Sequence, residues 1–206
     1  SGSEIMLVMS NFYEKVKQVQ AKTGLRMLIV TNIKEYLPRL PMILFTIAKE
    51  RSGGHRVSLQ AGDEWLQGLL PQYSPEQRPS LEITPDDVAL FQYTGGTTGL
   101  SKGAVGTHRS LVANTLQCRA WLGDVEQPTG GDVTLLALPM FHAYGLIVGM
   151  LSSVKAGAAT VLIPNPRDLK DVLISIDRYK PSLYPGVPTM YNAINNHPDV
   201  LAGKYD

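Results

Sequence analysis

Cysteine is nearly missing from this sequence: Cys118 is the one thiol in 206 residues. An internal disulfide framework and a cysteine-rich zinc site are both excluded, and the usage fits a reducing compartment. Charge of one sign is scarce too. The chain has 19 Lys plus Arg against 18 Asp plus Glu, a formal net charge of +1, so it has no global field, and no local basic stripe replaces one. Nucleic acid is therefore not an expected partner. There is also no charged-then-apolar leader: the start, Ser1-Gly2-Ser3, reads as a cloning scar on a piece cut from a longer protein. What is present is 44% apolar and 18% charged, enough to bury a sizeable core, which disfavours a disordered tail, a collagen-like fibre or an acidic solvating segment. The length suggests one large domain or two small ones.

One further absence matters. Val133 to Val154 contains no Asp, Glu, Lys or Arg and is long enough to cross a bilayer. Pro139, His142 and Tyr144 divide it into a strand and a helix, each too short to cross alone, so a soluble core is the better reading.

Periodicity predicts the elements. Ile5, Val8, Phe12, Val16 and Val19 recur at three- and four-residue steps, which predicts a helix over Glu4 to Gln20, stopped by Gly24. Met27 to Val30 is a short strand. Pro38 to Gly68 reads as a loop-rich insertion with a short helix, and Leu70 to Pro85, with four prolines, as an extended connector. Beyond it come a strand at Val88 to Tyr93, a loop at Gly95 to Gly103, a short returning strand at Ala104 to Thr107 and a helix at His108 to Trp121. Val133 to Leu138 and Thr160 to Ile163 read as buried strands around a buried helix at Leu146 to Val154. A helix at Asp168 to Tyr179, a strand at Ser182 to Tyr184 and a last helix at Pro188 to Asn196 complete the pattern. The fold class is α/β, a mainly parallel sheet covered by helices on both faces. Residues 4–85 form the helix, strand and insertion of one part, and residues 86–206 the α/β core of the other.

The stretch Tyr93-Thr94-Gly95-Gly96-Thr97-Thr98-Gly99-Leu100-Ser101-Lys102-Gly103 carries the most chemistry. Its glycines open backbone conformations closed to other residues and let a ligand approach the amides, which can then form an anion nest. Thr94, Thr97, Thr98 and Ser101 add hydroxyl donors, and Lys102 adds a cation. The composition suits a polyphosphate. Lys102 follows Ser101 and precedes Gly103, so the Walker A register fails, and no G-x-G-x-x-G fingerprint is present. A passive Gly/Thr hairpin is the bland alternative.

In this order the residues resemble the phosphate loop of the adenylate-forming (AMP-binding) superfamily, Tyr-Thr-Ser/Gly-Gly-Thr-Thr-Gly-x-Pro/x-Lys-Gly. Gly95, where many members have Ser, is similar to the long-chain fatty-acid CoA ligase branch. The resemblance extends over Thr107-His108-Arg109, Leu138-Pro139-Met140-Phe141-His142, Asn165-Pro166-Arg167-Asp168 and Gly186-Val187-Pro188-Thr189-Met190-Tyr191. It implies part of the large N-terminal domain of an acyl-CoA synthetase-like fold, and an enzyme that activates a carboxylic acid with ATP and Mg2+ and then transfers the acyl group to coenzyme A. It further implies that Thr94, Gly95, Gly96, Thr97, Thr98, Gly99, Ser101 and Lys102 hold the β- and γ-phosphates. His142 would stand where carboxylate and α-phosphate meet, a place where a donor lowers the repulsion between two anions. Tyr144, Gly186, Val187 and Met190, with Met140, Phe141 and Tyr191, would line the acyl site. The alternatives are a core histidine bonded to backbone for His142 and ordinary core packing for the apolar residues.

The family's Tyr-Gly-x-Thr-Glu element with its magnesium-binding Glu, the later ribose-binding Asp and the small C-terminal domain do not occur in this sequence. No metal ligand is therefore assigned, and the isolated chain is expected to be inactive. Aryl, amino and short-chain acids remain alternative substrates, and a noncatalytic nucleotide-binding or interaction module is the reading from another class. Met42 to Ala48, flanked by Arg39, Lys49, Arg51, His55 and Arg56, is either a headgroup-contacting segment or a packed helix beside a solvated loop. A cytoplasmic location with peripheral contact at the inner face of a membrane is the expectation, with a homodimer of the parent left open.

Overall fold

Five consecutive apolar residues open the fold, and they form a strand. The computed structural model describes residues 2–94, 102–122 and 131–205. Its chain divides into two units, residues 1–81 and residues 82–206. In the first, β1 (Ile5–Met9) pairs parallel with β2 (Met27–Thr31), Val8 opposite Val30, and β2 pairs parallel with the short β3 (Glu64–Trp65). The expected helix over Glu4 to Gln20 is thus corrected. A 3-10 turn at Ser10–Phe12 leads into α1 (Tyr13–Gln20), and only the second half is helical. A run of five apolar residues satisfies helical spacing and a buried strand alike, and the pairing with β2 decides between them.

The insertion between β2 and β3 holds α2 (Arg39–Ala48), and α3 (Leu66–Leu69) follows β3. Val8, Tyr13, Leu28 and Val30 make the core of this unit, with Val16, Val57, Leu59 and Trp65 packed around it. Buried charge ties the unit together. The Asp63 carboxylate accepts hydrogen bonds from the Tyr13 hydroxyl at 2.7 Å, the Lys17 ammonium at 2.9 Å and the Leu28 amide at 2.9 Å. Burial pushes this carboxyl up, but those donors and the Lys17 charge outweigh it and hold it below its ordinary value.

The second unit begins with an antiparallel hairpin, β4 (Val88–Thr94) and β5 (Lys102–Thr107), followed by α4 (His108–Leu122). Then β6 (Val133–Leu136) leads through a turn into a π-helix, Gly145–Leu151, that continues as α5 (Ser152–Ala156). β7 (Ala159–Leu162) pairs parallel with β6, and Leu183 makes a single parallel bridge to Thr134 on the other side. The chain continues with α6 (Leu169–Tyr179), α7 (Pro188–Asn195) and α8 (Pro198–Leu201). Helices flank both faces of β6. Leu135 faces Val172 and Ile176 of α6, while Leu136 and Thr134 meet Gly149 and Ser153.

Several expectations change here. Ser182 to Tyr184 is a bridge rather than a strand, and β7 is largely exposed rather than buried. Composition reports that a run is apolar but not whether anything covers it. The expected helix at Leu146 to Val154 starts as a π-helix, and Val154 is exposed. Among the described residues the strand pairs form three sheets, two parallel and one an antiparallel hairpin.

Candidate active site

The two strands of the hairpin flank the glycine-rich segment in sequence. In their ladder Thr94 stands opposite Lys102, one step beyond the Tyr93–Gly103 pair, so the two strands close on the ends of the loop. Lys102 is exposed and begins β5, two residues earlier than the expected returning strand. Gly95, Gly96, Thr97, Thr98, Gly99 and Ser101 lie outside the described residues.

His142 occupies the turn after β6, at the carboxyl end of a parallel strand, where open α/β sheets take their ligands. Its amide donates to the Pro139 carbonyl at 3.1 Å, and its carbonyl accepts from the Leu146 amide at 2.9 Å. The backbone of the turn is therefore fixed while the imidazole stays exposed, tilted against the exposed Phe141 ring at a centroid distance of 4.5 Å. Among the described residues no backbone group bonds to the ring.

Two glycines allow this turn to sit so close to its strand. A Cβ at Gly145 would fall on the Pro139 carbonyl, and one at Gly149 on the Leu136 side chain. Only glycine lets a π-helix pack at this distance, and such helices concentrate at functional positions. The glycines recur four residues apart inside an apolar run, a signal that sequence reading passed over.

A second connection was also missed. The Gln92 side-chain amide on β4 donates to the Phe141 carbonyl at 2.9 Å. This bond joins the strand entering the glycine-rich loop to the turn carrying His142, so two motifs separated by some fifty residues meet.

Tyr144 follows His142 by two residues and feels the Tyr191 phenol. Partial burial first, and that neighbour second, push Tyr144 up from its ordinary value. Tyr191 also packs edge-on against Tyr184 at 5.8 Å and donates to the Tyr184 carbonyl at 2.9 Å. Gly186 is buried under the same ring: a Cβ there would stand 2.9 Å from it. Val187 caps α7 and is exposed. Tyr144, Gly186 and Val187 each meet Tyr191: through the phenol, under the ring and by the Val187 carbonyl accepting from the Tyr191 amide. Met190 instead packs against the core of Leu135, Ala137, Ile163 and Val172. An open depression of about 390 Å³ beside the turn is lined by apolar residues including Leu138, Met140, Phe141 and Ile163. Among the described residues no three His, Cys, Asp or Glu side chains converge, so they do not make a divalent-cation site by themselves.

The hairpin strands that flank the glycine-rich segment are thus joined through Gln92 to a fixed turn that exposes an imidazole, within an α/β unit. A family model described as "AMP-binding enzyme" matches residues 11–206, and the chain belongs to that family. It is 32% identical over 197 residues to a long-chain-fatty-acid--CoA ligase of Bacillus subtilis (strain 168), covering 95% of this chain and 35% of that protein. It is 39% identical over 142 residues to 4-coumarate--CoA ligase 2 of Nicotiana tabacum, covering 67% of this chain and 25% of the relative. The crystal structure of the anthranilate CoA ligase AuaEII in complex with anthranoyl-AMP shares the fold, with a TM-score of 0.72 at 19% identity over all of this chain and 34% of that one. The chain spans about a third of the length of the curated long-chain ligases it matches and a quarter of the 4-coumarate ligase.

Proposed function

We propose that this chain is the phosphate-binding and acid-junction part of a ligase that activates a long-chain fatty acid with ATP and passes the acyl group to coenzyme A. Residues 4–85 and 86–206 would be two parts of its large domain. In the first step a carboxylate oxygen attacks the α-phosphorus, the bond to the β-phosphate bridging oxygen breaks, and pyrophosphate leaves. In the second the coenzyme A thiol attacks the acyl carbon, AMP leaves, and the thiol proton goes to solvent. No enzyme nucleophile is needed. Thr94 to Lys102 would hold the β- and γ-phosphates and then the departing pyrophosphate. His142 would donate where the two anions meet, a position in which a fixed donor contributes most as charge redistributes. Magnesium, when bound, would supply charge neutralisation on the phosphates.

The observation that carries this reading is the hydrogen bond from Gln92 to the Phe141 carbonyl. It holds the loop-bearing strand and the His142 turn in register, and such orientation can supply roughly 7 to 11 kcal/mol of a barrier. The long-chain assignment draws support from the ligase of Bacillus subtilis and from the apolar depression at Met140 and Phe141. An aryl acid is the competing substrate, favoured by the aromatic group Tyr144, Tyr184 and Tyr191 and by the similarity to 4-coumarate--CoA ligase 2.

The test is acid-dependent ATP–pyrophosphate exchange by the full-length protein across a series of fatty acids and cinnamic acids. Exchange that rises with aliphatic chain length, and falls at least tenfold with His142→Ala, is expected. Preference for the aromatic acids would replace the lipid assignment, and absence of both exchange and ATP binding would leave a noncatalytic module. The isolated 206-residue chain is expected to give no exchange.

A further inference from the structure

Helix α2 carries Leu40, Ile43, Leu44 and Ile47 at steps of three and four, and all four are exposed, Ile47 by 79%. Such spacing gathers them into a stripe about 100° wide. The opposite side holds the helix to its unit. Met42 and Phe45 are half-buried there, and the Phe45 ring meets His55 edge-on at 5.4 Å. The outward stripe is thus a fixed surface, not an unfolded apolar segment.

Its surroundings are cationic. Arg39, Lys49, Arg51 and Arg56 are all exposed. The single carboxylate between Tyr36 and Gly62 is Glu50. It is buried and accepts from the Asn32 amide and the Lys34 ammonium, so it does not offset those charges at the surface. On α4, by contrast, the Arg109 beside the exposed Val112 and Leu116 is held by Asp86 at 2.8 Å. Ten residues of helix reach about 15 Å, half the thickness of a hydrocarbon core, so α2 can lie along a membrane surface but not cross it. Among the described residues no helix is long and apolar enough to cross.

We propose that the outer face of α2 docks on an anionic lipid bilayer, with Leu40, Ile43, Leu44 and Ile47 entering the headgroup–acyl boundary and Arg39, Lys49, Arg51 and Arg56 meeting lipid phosphates. The shape is that of an interfacial helix, in which an apolar face and basic neighbours act together. This surface does not depend on which acid the protein activates.

Flotation of the full-length protein with phosphatidylcholine vesicles, with and without a quarter of phosphatidylglycerol, tests it. Binding is expected only to the anionic vesicles and should weaken in high salt. Ile43→Glu with Ile47→Glu should abolish it. Lys49→Glu with Arg51→Glu should weaken it by at least roughly twentyfold, since each basic residue near such a surface contributes roughly fivefold. Ile47→Trp guards against misfolding of the acidic variants: it keeps the face apolar, and its emission should shift to the blue with anionic vesicles alone. Three results would overturn the proposal. One is equal binding by wild type and the Ile43/Ile47 variant. Another is an Ile43→Cys thiol in full-length protein that maleimide cannot reach, which would mean that protein covers the face. The last is a dimer that the Ile43/Ile47 variant dissociates while wild type ignores vesicles, which would make a second copy the occupant.

Discussion

The two units bury different kinds of polar group. Among the described residues both buried carboxylates, Glu50 and Asp63, lie in residues 1–81. The buried polar residues of the second unit are all hydroxyls: Thr115, Thr134, Ser152, Ser153 and Ser175. Several of these bond to carbonyls on their own helices, Thr115 to Leu111 and Ser152 to Ile147. The first unit can fix a carboxylate in its interior because Tyr13, Lys17 and the Leu28 amide surround it. The second carries the glycine-rich loop proposed to hold polyphosphate, and a buried anion there would repel such a ligand across low-dielectric protein. Neutral hydroxyls and close-packed glycines do the structural work of that unit, so the field at its strand ends is set by exposed groups. One unit is a scaffold that holds charge within its interior, and the other a platform in which helix and strand backbones approach closely.

The largest effect is expected in the glycine-rich segment of the platform. If backbone amides dominate phosphate binding, replacing Gly96 and Gly99 together by Val in the full-length protein should cost more than removing the Lys102 cation. Each charge-assisted amide contact contributes about 1.5 to 3 kcal/mol. Losing two predicts a fall in kcat/KM of at least about a hundredfold, against about tenfold for Lys102→Ala. Steady-state kinetics with varied ATP decide it, and an equal or reversed order would mean that the lysine leads.

The scaffold side is tested by Asp63→Asn, which should destabilise the first unit by about 3 kcal/mol, because it removes the charge that Lys17 faces in a buried site. Urea unfolding read at Trp65 would report it. The pH dependence has a definite sign. The Asp63 carboxyl sits lower in the folded chain than in the unfolded one, so its contribution is complete above the ordinary carboxylate range and disappears as pH falls through the lower folded value. The wild-type first unit should therefore lose stability on acidification below about pH 4, and the variant should show a flatter acid limb. Identical acid limbs would mean that this carboxylate does not tie the unit together.

How much of this was legible in the sequence follows from which signals are local. The core of β2, the hairpin strands β4 and β5, and α4 and α6 emerge from periodicity. Asp168 caps α6 by accepting from the Asp171 amide, as its place before Leu169 suggests. The glycine-rich loop was legible as a motif because its chemistry is written in consecutive residues. The His142 turn was legible because it follows a strand. β1 was not, since the choice between helix and strand at Ile5–Met9 depends on a partner at Met27–Thr31. The exposure of β7 and the inward packing of Met190 likewise depend on which surface lies opposite. Gln92 was invisible for the same reason: one amide in an aromatic strand says nothing about a carbonyl 49 positions later.

Gln92 therefore supplies the mildest and most discriminating test. Gln92→Leu keeps the volume and removes the donor to Phe141. The Phe141 residue is exposed, so water can satisfy the freed carbonyl, and the stability cost should stay near 1 kcal/mol or below. Loss of the link lets the hairpin and the His142 turn move relative to one another, and a displacement of about an ångström can cost far more in rate than in stability. The full-length variant should show kcat reduced about tenfold with its thermal midpoint within a few degrees of wild type. A stability loss as large as that of Asp63→Asn with kcat unchanged would make Gln92 a scaffold residue. The side-chain amide would then serve the stability of its own unit rather than the geometry of the site, and the register of the His142 turn would have to come from the glycine contacts at 145 and 149.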